Sequence, residues 1–130
     1  MNVFRHFSPV LLAVLATAAP AADFDGSRPL ICAPLVAIDC ARGEECLSGL
    51  PEDIDAPAFM RFDFKKKQVS GARVASDILL LERSDKHLLL QGREGEYGWT
   101  IVIGAGSGDM TVTLATRGTA VVMHGSCTVD

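Results

Sequence analysis

Apolar and polar side chains alternate along much of this chain. Met60, Phe62 and Phe64 are separated by Arg61 and Asp63, and Met110, Val112 and Leu114 by Thr111 and Thr113. Period-two alternation marks a strand with one buried face, because successive side chains point to opposite sides. Tyr97, Trp99, Ile101 and Ile103 keep the same beat and predict one inward face of a strand over 97–103. Mostly apolar runs at Leu30–Ile38, Ser76–Glu82, His87–Gln91 and Ala120–His124 add further strands.

Turn-forming segments separate these runs: Lys65–Lys67 before a return strand at Gln68–Gly71, then Arg83–Lys86, Gly92–Gly95, Gly104–Asp109 and Thr116–Thr119. Residues 47–58 hold two Pro, three acids and a Gly, which predicts a long connection with a helical turn around Glu52–Ile54. No helical apolar stripe runs beyond two turns. Strands that recur roughly every ten residues predict an all-β fold. The expected architecture is an antiparallel meander of about eight strands, rolled into a small closed or nearly closed barrel. Closure would remove the two exposed edges that invite aggregation.

The 130 residues make room for one domain. Residues 1–22 read as a cleavable signal peptide. Arg5 and His6 precede the apolar run Pro9–Ala19, which is too short to span a bilayer, and small residues follow it. Residues 23–29 read as a flexible leader, and 30–130 as the single all-β domain. The expected location is the periplasm or the medium, with no stable membrane insertion of the mature chain. Of the 12 bases only Arg5 lies before residue 23, and all 16 acids lie after residue 22. Residues 23–130 thus carry 11 bases against 16 acids, net −5. That balance excludes general nucleic-acid binding, which needs Lys and Arg to displace phosphate counterions.

Four cysteines in an exported chain predict disulfides, whereas structural zinc favours close C-x2-C pairs that are absent here. Four Cys allow three pairings. Cys40 and Cys46 flank a polar segment with a Gly, which favours a local bridge across a turn. Cys32–Cys127 would then tie the first strand to the last.

No motif carries catalysis. Gly104–Asp109 is Gly-rich, but a strand follows it where a phosphate loop needs a helix. Ser107, Asp109, His87 and His124 offer no nucleophile elbow and no metal-ligand spacing. The Lys65–Lys67 cluster reads as a solvated hairpin tip. Glu44, Glu45, Glu52 and Asp53 form an acidic segment whose charge suits a basic partner. Trp99 is the best candidate for stacking on a ligand, provided the sheet leaves a cleft.

Cys32, Cys40 and Cys46, the run Pro57-Ala58-Phe59-Met60-Arg61-Phe62-Asp63 with Lys66-Lys67 behind it, and a closing Gly125-Ser126-Cys127 form one pattern. In it the chain resembles small secreted or periplasmic proteobacterial proteins to which no activity is assigned. The resemblance covers most of the mature chain and implies a location rather than a chemistry. In size, signal and disulfide use the chain is also similar to small periplasmic β-barrels that inhibit lysozymes or proteases, but it has no inhibitory loop motif. The expected role is therefore non-catalytic binding of a protein or envelope component, with a basic envelope protein such as a cationic lysozyme as partner and with no cofactor. The alternative is a lipocalin-like carrier of a small apolar ligand, which requires a cavity lined by residues such as Phe62, Trp99, Ile101 and Leu114. An enzyme of unknown class ranks below both.

Overall fold

A computed structural model describes residues 23–130; the signal-peptide reading of residues 1–22 lies outside the described residues. Nine strands follow in order: β1 Leu30–Ala41, β2 Leu47–Gly49, β3 Met60–Asp63, β4 Gln68–Ser70, β5 Ala75–Arg83, β6 His87–Glu94, β7 Tyr97–Gly104, β8 Asp109–Ala115 and β9 Thr119–Val129. A single 3-10 turn, Pro51–Ile54, lies between β2 and β3. From β3 onward each strand pairs antiparallel with the next, and β9 returns to β1 in a ladder from Leu30↔Val129 to Ala41↔Thr119. The other edge of β1 is shared: Leu30–Cys32 pair with β3, and Ala37–Asp39 with β2. The result is a closed eight-stranded barrel of β1 and β3–β9, with β2 as an additional strand.

Two bulges help the sheet to turn the corners that closure demands. In β1 the register shifts between Pro34 and Val36, and Leu35 points outward, 63% exposed. Pro34 has no N–H to give the ladder, which makes it a fitting residue for an irregularity. It faces Gly125, where a Cβ would strike the Ala33 carbonyl. In β5 the shift falls between Ile78 and Leu80, opposite Gly92 in β6.

The alternation read from the sequence is the core. Met60, Phe62, Phe64, Ile101, Ile103, Met110 and Val112 are all buried. One end is packed solid, with Leu30, Phe62, Leu88, Ile103 and Met110 each below 2% exposure. The segment 23–29, read from the sequence as a flexible leader, makes contacts at this end. Phe24 packs against the core and donates its N–H to the Ala105 carbonyl at 3.2 Å, while Arg83 Nη2 donates to the Gly26 carbonyl at 3.4 Å. An aromatic side chain just beyond the small-residue stretch supplies enough apolar area to anchor an otherwise polar segment.

Both expected disulfides form, Cys32–Cys127 and Cys40–Cys46. Three expectations shift. The connection 47–58 contains β2. The turn expected at Gly92–Gly95 moves to Gly95–Glu96, because Gly92 serves inside β6 as a close-packing site. Tyr97 is 41% exposed, since it stands beyond the last inner row of the barrel with no wall opposite it.

Candidate functional site: the open end of the barrel

At the other end the strands are uneven in length, and this leaves a cavity. β3 and β4 span only four and three residues, whereas β7, β8 and β9 rise well past them. Register places Ile78, Gly92, Trp99, Leu114, Val121 and Asp39 in one row around the inner face. The row beneath it is Leu81, Leu90, Ile101, Val112, Met123 and Ala37. Because the β3–β4 hairpin is short, the upper row faces loops rather than a full wall.

The space between is an apolar cavity of about 510 Å³. Trp99, Ile101, Val112, Leu114 and Met123 form one wall, and Met60 and Val69 the other. The segments Asp55–Ala58 and Gly71–Val74, together with Glu94, make the rim. Its volume lies within the roughly 300–1,000 Å³ range of small-molecule sites.

Trp99 is set by two contacts. Its indole lies over Gly92, where a Cβ would strike the ring. Its Nε1–H donates to Ser76 Oγ at 2.9 Å, and the Ser76 hydroxyl donates to the Arg93 carbonyl at 3.0 Å. The indole N–H is therefore satisfied within the wall, so the ring contributes apolar surface to the cavity without an unmet donor.

The polar groups of the rim are exposed and unpaired. Asp55, Glu94 and Arg73 line the mouth, and none of them takes part in an ion pair among the described residues. Asp39, on the inner row, is partly buried, and its Oδ1 is buried without a hydrogen-bond partner.

Trp99, Ile101 and Leu114 line the cavity as the carrier alternative requires; Phe62 does not. Phe62 belongs to the solid half, stacked on Phe64 with ring centroids 6.3 Å apart. Sequence reasoning misses Val69 and the rim segments. Rim residues follow no periodicity, and only the topology brings 55–58 and 71–74 to one mouth.

Glu44, Glu45, Glu52 and Asp53 are all exposed. Glu44 and Glu45 precede β2 in the connection bridged by Cys40–Cys46, and Glu52 and Asp53 follow it in the 3-10 turn. The Arg42 N–H donates to the Gly118 carbonyl at 2.9 Å, which sets that connection beside the β8–β9 turn at the open end. Asp53 also shapes its own turn, since its Oδ2 accepts the Leu50 N–H at 2.9 Å.

Among the described residues no hydrogen bond joins either histidine to Ser107 or Asp109. His124 Nδ1 shares a hydrogen bond with Thr111 Oγ1 at 3.1 Å, and Ser107 Oγ accepts the Asp109 N–H at 3.3 Å. Asp63 Oδ1 accepts the Lys66 N–H at 2.9 Å, which fixes the lysine hairpin as a turn. Among the described residues no group of three His, Cys, Asp or Glu is placed to hold a metal ion. Compared with family models, with curated proteins and with solved structures, the chain matches none.

Proposed function

We propose that this protein is a non-catalytic carrier of the periplasm or medium that holds a small apolar molecule in the open end of its barrel. The observation that carries this reading is the apolar cavity beneath Trp99, open on one side and walled by side chains that elsewhere in the barrel meet a packed neighbour. Burying an apolar group there is worth about 25 cal/mol per Å² removed from water. The two disulfides support an oxidising compartment.

The chain has one Trp, so its fluorescence reports the site directly. Titration with dodecanol should shift and saturate that emission. Leu114→Phe, which fills the mouth from the same wall, should weaken binding at least tenfold while the far-ultraviolet circular dichroism stays unchanged. Equal affinity in the variant would place the ligand elsewhere and end the carrier reading.

A second reading has its own observation: four acids exposed in the segment that flanks β2. These would steer a basic envelope protein toward the molecule. Capture by a cationic lysozyme, repeated with Glu44, Glu45 and Glu52 changed to Gln and Asp53 to Asn, tests it. Capture that survives neutralisation would discard this reading.

A further inference from the structure

We propose that the ligand of the cavity is an amphiphile with a cationic head group, held at the mouth by Asp55 and Glu94. This rests on the reading of the cavity as a ligand site. The wall beneath Trp99 is apolar and offers nothing to a charge, so a charged head must stay at the rim while the chain enters. At the rim stand two carboxylates and one guanidinium, Arg73, all without an ion-pair partner among the described residues. The balance there is negative. The described chain as a whole carries −5, so its net charge has the same sign as the rim. A cation at the mouth is drawn in, and an anion meets net repulsion with only Arg73 in its favour.

The test compares three twelve-carbon probes below their micelle concentrations: dodecyltrimethylammonium, dodecanol and dodecanoate. Affinity is read from Trp99 fluorescence at low and at high salt. Each exposed charge contact is weak, so the expected spread from cation to anion is about tenfold at low salt, with the alcohol between them. High salt should compress that spread. Asp55→Asn with Glu94→Gln should bring the cation down to the alcohol, and Arg73→Gln should tighten the cation by about threefold. Equal affinity for all three probes, or tightest binding of dodecanoate, would overturn the head-group assignment and leave the carrier reading standing. Failure of dodecanol as well as the other two would remove both.

Discussion

Trp99 and Gly92 depend on each other. The indole occupies the space a side chain at 92 would need, and the Ser76 hydroxyl holds its N–H. Gly92→Ala forces the ring off that position or bends β6, and overpacking of this kind costs about 1–3 kcal/mol. A urea denaturation curve should show its midpoint fall with the slope unchanged, and Trp99 emission of the folded variant should move to longer wavelength. At the closed end, Asp25 Oδ1 accepts the Ser27 N–H at 2.8 Å, and hydrogen bonding from Ser27 holds the Asp25 carboxyl below its usual value. The sign follows from a depressed folded-state pKa: the contribution is present above the unfolded pKa and is lost as pH falls through the folded one. The Ser27 amide resonance should therefore titrate below the ordinary Asp range. A midpoint at or above that range would contradict the assignment.

Strand length decides where the cavity lies. Had β3 and β4 matched β7 in length, Trp99 and Leu114 would face a wall and the interior would close. The alternation at 60–64, 97–103 and 110–115 is legible in the sequence because each strand packs one face only, and that face repeats every second residue. Gly92 reads as a turn because a Gly that makes room for a neighbouring ring looks, along the chain, like a Gly that makes a turn. β2 escapes a sequence reading because three residues carry no period. Residues 23–29 read as a loose leader because the segment is polar apart from Phe24, and its partners Arg83, Ala105, Gly108 and Asp130 all lie far along the chain. Phe24→Ala should lower stability by about 1–3 kcal/mol, less than a fully buried Phe would cost. It should also speed amide exchange in residues 23–29 while exchange at Trp99 stays as it was.

At the scale of the whole molecule, the fold is a ring whose last joint is β1 on β9, and Cys32–Cys127 lies in that joint. The two disulfides constrain the unfolded chain unequally. With separations of 95 and 6 residues, loop-closure entropy assigns them about 5 and about 2 kcal/mol. Replacing Cys32 and Cys127 by Ser should therefore lower the melting temperature well beyond the loss from replacing Cys40 and Cys46. The reverse order would mean that closure does not depend on the long bridge. The positions of the first and last cysteines predict this joint. They predict the cleft only as a condition, since an inward Trp belongs equally to a packed core and to a cavity wall. What separates the two is the height of the facing strands, set by where β3 and β4 stop. The most direct test is a proton–nitrogen correlation spectrum of the labelled protein titrated with dodecyltrimethylammonium. The one indole resonance, Trp99 Nε1–H, should shift saturably together with the amides of Ile101, Val112 and Met123. An indole peak that stays fixed while residues on the outer face move would contradict a ligand site inside the barrel.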